Sequence, residues 1–559
     1  MHGPRLSASV LIAVLVGCGR STAPTPPSPS GGTTAAITPA DLRLRESIFS
    51  DDSMQGRRAG TPGNTRGNGY IVRELTRLGL RPAGDSGSFL QRVPLTEYAV
   101  DSTRATLQSG RATLSVFHDY FPYQPEFSVP ARSIDGAGLV YIGSLSDTAR
   151  LPSRETLRGK LVLFRSETSG PPLTAPDLGA NGRLGEIAGI AITGVDPLLA
   201  SFDQYLRTPR LEVEADTPPP TGATKPRLLL VPTRTVAALF GKPVESLVVG
   251  ETGPSVRGNV TFDGTDRSAS NVVAVVDGAD GALRGEYVAL GAHNDAIGIV
   301  PPVDHDSLRA YNTVVRPRGA NDPQADPTPE QAARIQAIRD SLRKLRPSRI
   351  DSIVNGADDD GSGSMALLEI AEALAGPGPK PARSVMLVWH TGEESGLQGS
   401  RWFTDHPTVP RDSIVTQLNI DMIGRGGPKD EAKGGPGYLQ VIGSRRLSTQ
   451  LGDLVDQVNQ DGKFGFAFDY SYDAKGHPDN FYCRSDHYMY ARYGIPIAFF
   501  STGGHRDYHQ VTDELQYLDF DKFARVTRFV HDVAIRVANL PARPVVDQPK
   551  PDPAAPCHQ

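Results

Sequence analysis

From Asn271 onward, short β-branched apolar runs alternate with segments of helical period, and this alternation limits the fold more than any other feature of the chain. Residues 272–276, 287–292, 384–389, 415–420, 439–442 and 495–500 read as strands. Between and after them, Leu367, Ile370, Ala371 and Leu374 share one helical face, and Phe523, Val526, Val530, Val533 and Val537 mark a long closing helix. Buried strands separated by amphipathic helices predict an α/β fold, a three-layer α/β/α sandwich around a mostly parallel mixed sheet.

The chain has 559 residues, more than one ordinary core accommodates, so several domains are expected. Residues 1–18 read as an export signal: Arg5 precedes a short apolar stretch that ends in Leu15-Val16-Gly17-Cys18. That ending resembles the lipobox of bacterial lipoproteins, which implies an acylated Cys18 and an extracytoplasmic, envelope-anchored protein, or a secreted one without acylation. A Ser/Thr/Pro-rich tether follows at 19–38 and cannot form a core. Residues 39–119 carry two helices, at 42–49 and 70–78, and read as the first part of the main domain. Across 120–257 the texture changes to short apolar runs among Pro and Gly, the pattern of a smaller, β-rich inserted domain. Residues 258–540 form the main domain, with an insertion at 297–355 whose helix has Thr328 as cap and Pro329 at its first position. A Pro-rich tail, 541–559, closes the chain. With no apolar run near the ~18–20 residues of a spanning helix, membrane association is expected only through the lipid anchor. A formal charge of −5 excludes a basic nucleic-acid-binding protein. Setting Cys18 aside leaves Cys483 and Cys557, either a disulfide to the tail or two free thiols.

Ligands of open α/β sheets collect at the C-terminal ends of strands. There the sequence places His293-Asn-Asp295, Asp358-Asp359-Asp360-Gly-Ser362, Glu393-Glu394, Asp421 and Tyr508-His509. Each taken singly has an ordinary reading as a turn, a helix cap or a solvated face. Together, two imidazoles and three carboxylates suit a pair of zinc ions, one carboxylate bridging both. A further carboxylate outside the ligand set is then needed to move protons.

The succession His-x-Asp, Gly-Ala-Asp-Asp-Asp-x-Ser-Gly, Glu-Glu-x-Gly-Leu-x-Gly-Ser, Asp-Met and Tyr-His-x-x-x-Asp resembles the co-catalytic di-zinc exopeptidases, the family of bacterial leucyl-type aminopeptidases and glutamate carboxypeptidase II. The likeness also takes in Met54-Gln-Gly-Arg57 and 79–85, and it implies that 120–257 is a protease-associated domain. It implies two zinc ions, one on His293, Asp359 and Asp421, the other on Asp359, Glu394 and His509. Asp360 matches the residue joined to the bridging Asp by a cis peptide, and Asp358 shapes the loop. Glu393 would be general base and acid for a zinc-bridging hydroxide, and Asp295 would orient His293. Tyr508 is a candidate oxyanion contact, and Asp486 and His487 match a segment near the substrate pocket. His305, His390 and His505 are left as ordinary histidines. The implied activity is an aminopeptidase acting on peptides. A carboxypeptidase or dipeptidase of the same family would need a cationic clamp that no Arg is assigned, and a glutaminyl-cyclase-like transferase would have lost part of the second ligand set.

Overall fold

The computed structural model describes residues 32–124, 127–144, 151–166, 182, 184–214, 221–426 and 435–559. Cys18, the signal and most of the tether lie outside the described residues. One sheet organises the site. Its strands are β1 (Ala269–Val276), β2 (Tyr287–His293), β3 (Ser384–His390), β4 (Ile414–Ile420), β5 (Tyr438–Ile442) and β6 (Ile497–Ser501), in the spatial order β1-β3-β2-β4-β6-β5. β3, β2, β4 and β6 run parallel, in the register His293 opposite His390 and Asn419 opposite Phe499. The flanks turn antiparallel: β1 on β3, β5 on β6, and the short strands Arg81–Pro82 and Leu90–Val93 on β1. These reversals, and the edge strand Ala467–Asp469, were not legible in the spacing of apolar runs.

Side chains alternate across a strand, and the two faces serve different cores. Val272, Ala274, Leu387 and Trp389 pack with helices Pro39–Phe49, Gly363–Ala375 and Phe520–Ala538. Val273, Val275, Met386 and Val388 meet Phe403, Tyr488 and Tyr490 on the other side. Three layers follow, as the alternation predicted. The Pro62–Arg77 helix starts earlier than expected, because Thr61 caps it and Pro62 occupies its first turn, and it stops at Gly79 with φ +70°. The expected tether also ends early. Thr38 caps the Pro39–Phe49 helix and Thr33 donates to Glu372, so residues 33–38 are docked on the body.

Apart from the pair Gly298–Asp304 and Ile350–Val354, the sheets outside the main one draw strands from Leu95 to Asp266, wider than the 120–257 suggested by texture. The largest has six strands, and Leu139–Ser144, Leu161–Arg165, Gly189–Thr193 and Arg227–Leu230 pair in parallel within it. It is therefore mixed α/β and has its own apolar core around Leu139, Leu161, Leu163 and Val236.

Candidate active site

The parallel strands end in a common crevice. β2 ends at His293, β4 runs into Asp421, β3 is followed by Glu393 and Glu394, and β6 leads to Tyr508 and His509. Asp358, Asp359 and Asp360 lie in the turn before the Gly363–Ala375 helix, and the Asp359–Asp360 peptide is cis. Asp360 holds three segments together. Its carboxylate accepts from the N–H groups of His293 (3.0 Å), Gly363 (2.8 Å) and Met422 (3.2 Å). Only a glycine fits at 363, because a Cβ there would collide with the Asp360 carboxylate and the Ile420 carbonyl. Behind the turn, Asp513 accepts from the Asp358 and Asp359 N–H groups, and Arg57 donates to the carbonyls of Asn355 and Gly356.

Five of the expected residues come together in two groups. His293, Asp359 and Asp421 form one, and Asp359, Glu394 and His509 the other; within each, one donor atom per residue lies within 4.8 Å of the rest. His293 Nε2 is 3.1 Å from Asp359 Oδ1 and 3.8 Å from Asp421 Oδ1. His509 Nε2 is 3.0 Å from Asp359 Oδ2 and 2.9 Å from Glu394 Oε2. Glu393 stands beside the groups, with Oε2 4.0 Å from His293 Nε2.

The electrostatics are those of a crowded anionic nest. Burial raises the Glu393 pKa well above the glutamate range; His293 opposes this, while Asp421 and Glu394 add to it. Burial works against charge on His293, yet Asp359, Asp421 and Glu393 outweigh it and hold the imidazole well above its ordinary value. His509 is raised in the same way by Glu394, Tyr508 and Asp359. Burial also opposes the ionised Asp359, but the two imidazoles pull it far below the carboxylate range. Asp295 Oδ2 and Glu394 Oε1 are buried without a hydrogen-bond donor. Ionised carboxylates without partners are costly in a protein interior, and a divalent cation is the counter-charge that a His/Asp/Glu set of this kind accommodates.

Other expected residues fall differently. Asp295 bears on His293 mainly through its backbone: its carbonyl lies 3.1 Å from His293 Nδ1, while the carboxylate accepts from the Glu393 N–H at 3.1 Å. Burial lifts that carboxyl to about 7. Asp486 and His487 do not contact the crevice. Both are fully buried beneath it, Asp486 within 3.4 Å of His390 Nδ1, and His487 stacked on Phe499. Burial lowers the His487 pKa to about 3, so the ring is neutral. His390 also meets Tyr490, His505 meets Asp358 at 3.2 Å, and His305 meets Asp306 and Glu514, so each of these histidines has a partner.

The neighbours of Asp486 supply what the sequence reading missed. Ser485 donates to Asp421 (2.7 Å), and Arg484 lines the crevice with Asp359, Glu393, Asp421 and Tyr508. Arg484 Nη2 donates to the Tyr508 hydroxyl at 3.1 Å. Burial pushes Tyr508 up to about 12 against the pull of His509 and Arg484, so its O–H stays protonated near neutrality. The signal was adjacency: Arg484 stands two residues before Asp486, already singled out. Cys483, one residue earlier, forms a disulfide with Cys557.

Residues 271–534 match the model of peptidase family M28. All five clustered residues lie inside this matched segment. Over 219 residues the chain is 27% identical to leucine aminopeptidase 1 of Aspergillus fumigatus, covering 37% of this chain and 52% of the relative. Over 172 residues it is 28% identical to leupeptin-inactivating enzyme 1 of Streptomyces exfoliatus, covering 30% and 34% respectively. The chain thus spans about half, or less, of the length of these curated relatives. Among solved structures, an aminopeptidase from Aneurinibacillus sp. strain AM-1 shares the fold at 16% identity and a TM-score of 0.53, covering 92% of this chain and 97% of that one.

Proposed function

We propose that this protein is a zinc-dependent aminopeptidase that removes N-terminal residues from peptides. The observation that carries the reading is the pair of donor groups sharing Asp359, with Glu393 beside them and outside both. In this reading His293, Asp359 and Asp421 hold one zinc ion, and Asp359, Glu394 and His509 a second. Bound zinc supplies a Lewis acid that polarises a carbonyl and makes water acidic near neutral pH. Glu393 takes the proton from the attacking water and delivers it to the leaving amine. Its raised pKa suits it to hold that proton between the two transfers. The Tyr508 hydroxyl, held by Arg484, is a donor for the oxygen on which negative charge develops. The carboxylates of the crevice attract the free α-amine of the substrate.

Arg484 also bears on a second reading. It is a cation in the crevice, so a carboxypeptidase or dipeptidase of the same family has a candidate clamp for a terminal carboxylate. Assays of free-amine, amine-blocked and carboxyl-blocked dipeptides, with and without chelator, separate the readings. Chelator-sensitive cleavage that requires the free amine supports an aminopeptidase. Cleavage that survives amine blocking and fails on carboxyl blocking selects the carboxypeptidase, cyclisation of an N-terminal Gln selects the transferase, and no turnover of any kind removes the proposal. The export signal, acylated Cys18, envelope location and protease-associated character of the inserted sheets belong to the same proposal. Mass spectrometry of the mature N-terminus tests the first three.

A further inference from the structure

The insertion between His293 and Asp359 does more than lengthen the chain. Strands Gly298–Asp304 and Ile350–Val354 pair as its antiparallel stalk, and helices His305–Val314 and Pro329–Arg343 lie above it. The Pro329–Arg343 helix has the expected Thr328 cap and no buried residue, so it is not what closes on the site. The element that reaches the crevice is the short turn Gly319–Asn321.

That turn is fixed against the loop bearing Tyr508 and His509. The Ala320 N–H donates to the Tyr508 carbonyl (3.1 Å), Asn312 Nδ2 to the Arg506 carbonyl (3.1 Å), and Arg309 Nε to Asp507 (3.1 Å). Gly319 has φ +57°, and a Cβ there would lie 2.7 Å from the carbonyl oxygens of His505 and Tyr508. The backbone comes so close only because no side chain stands between. On its other side the turn holds the loop bearing Arg484: Arg318 Nη1 donates to Asp479 at 2.9 Å, and Arg484 Nη2 donates to Asn321 Oδ1 at 3.0 Å. A guanidinium has no acceptor, so the Asn321 atom facing it is the carbonyl oxygen. The same Nη2 donates to the Tyr508 hydroxyl.

We propose that Asn321 is a positioning residue: the insertion uses its amide oxygen to hold the Arg484 guanidinium on the Tyr508 hydroxyl and so aims that hydroxyl into the crevice. Without Asn321, Arg484 keeps a hydrogen bond to the Asp479 carbonyl at 3.3 Å on Nη1, but Nη2 has only the hydroxyl to hold it. The kinetic part of the inference rests on the aminopeptidase reading; the structural part does not.

The test compares zinc-loaded Asn321→Ala and Asn321→Asp with the unaltered protein, using a free-amine peptide substrate and crystal structures of all three. Asn321→Ala is expected to lower kcat by about 10- to 100-fold, the scale of a loosened transition-state contact, with KM within about threefold. Zinc content and thermal midpoint stay unchanged, and Arg484 leaves Tyr508 in the crystal. Asn321→Asp, which keeps an acceptor, restores kcat to within about threefold of the unaltered protein on the same scale. Gly319→Ala, which pushes the turn off Tyr508, is a second variant expected to reproduce the kcat-selective loss. An unchanged kcat in Asn321→Ala, a loss that Asp does not rescue, or an Arg484 still seated on Tyr508 in the Ala variant each overturns the proposal. Absence of turnover by the unaltered protein strikes the aminopeptidase reading instead, and the position of Arg484 in the crystals still decides this one.

Discussion

The Gly363–Ala375 helix joins two buried clusters of charge that are built on opposite principles. Toward its C-terminal end, Glu369 and Glu372 meet Arg45. Arg45 Nε donates to Glu369 (2.8 Å), Nη1 to Glu74 (3.2 Å), and Nη2 to both Glu372 and Thr33. Arg77 adds donors to Glu74 and Glu372. Three carboxylates share two guanidinium groups, and each carboxylate has a donor. In the turn before the same helix, Asp359 and Asp360 are gathered with Asp295, Glu393, Glu394 and Asp421, facing two imidazoles and one guanidinium, and some oxygens have no donor at all. In one cluster the protein's own guanidinium groups give every carboxylate a donor, and the cluster serves cohesion. The other is left short of positive charge, which is the condition a metal site must meet before the metal arrives.

The sharpest way to break this contrast is Asp359→Ala. Removal of the shared ligand should take zinc content per chain below one and bring turnover to the assay floor, while the Arg45 cluster keeps the fold intact. Two zinc ions still bound per chain would refute the bridging role. Next is Glu393→Ala, which should keep the zinc content and cost roughly 10²–10⁴ in kcat, the range of a lost general base. The same residue sets the pH dependence. A base must be ionised, and burial raises its pKa, so activity should fall with decreasing pH through an acid limb above the ordinary glutamate value of about 4.3. The cations would pull that limb back toward 4.3, so in the loaded enzyme it should lie between the two positions. A pH–kcat/KM profile that stays flat below 4.3 would remove Glu393 from the role.

What was legible in the sequence follows the same division. His293, Asp359, Glu394, Asp421 and His509 could be read because parallel strands point their C-terminal ends to one crevice, so polar residues at strand exits are neighbours whatever lies between them. Arg45 could not be paired with Glu369 and Glu372, because more than three hundred residues separate them and an i, i+3 pair of glutamates on a helix reads as a solvated face. Asp486 and His487 were placed near the pocket by resemblance to a family segment, but the chain turns into the short His487–Ala491 helix there, which sends them under the crevice and leaves Arg484 and Ser485 facing it. Asn321 carried no signal at all: its role comes from where an insertion folds back, and no period or motif encodes that.

Arg45→Ala tests the cluster in which every carboxylate has its own donor. It leaves Glu369 and Glu372 buried without their main partner, and breaking such a pair costs about 3–5 kcal/mol. Urea unfolding should show that loss, while zinc content and kcat of the folded fraction stay normal. Loss of zinc alongside stability would mean the two clusters are one unit joined through the helix.

The smallest effect on stability is expected from the disulfide. Cys483–Cys557 ties the C-terminal tail to the residue next to Arg484, and Gln559 reinforces the tie by accepting from the Tyr482 N–H (2.9 Å) and donating to the Tyr472 (3.0 Å) and Ala474 (3.1 Å) carbonyls. A cross-link that closes a long loop typically contributes about 2–4 kcal/mol. Here the tail after Leu540 is mostly exposed and can peel away before the core opens, so replacing both cysteines with serine should cost only about 1–2 kcal/mol of global stability, below that range. Its effect should appear locally, as a rise in KM of a few fold when the loop carrying Phe481 and Arg484 loosens. A loss above about 4 kcal/mol would make the tail part of the core and not a strap on the crevice. An unchanged KM would show that the turn at Asn321 holds Arg484 without help from the tail.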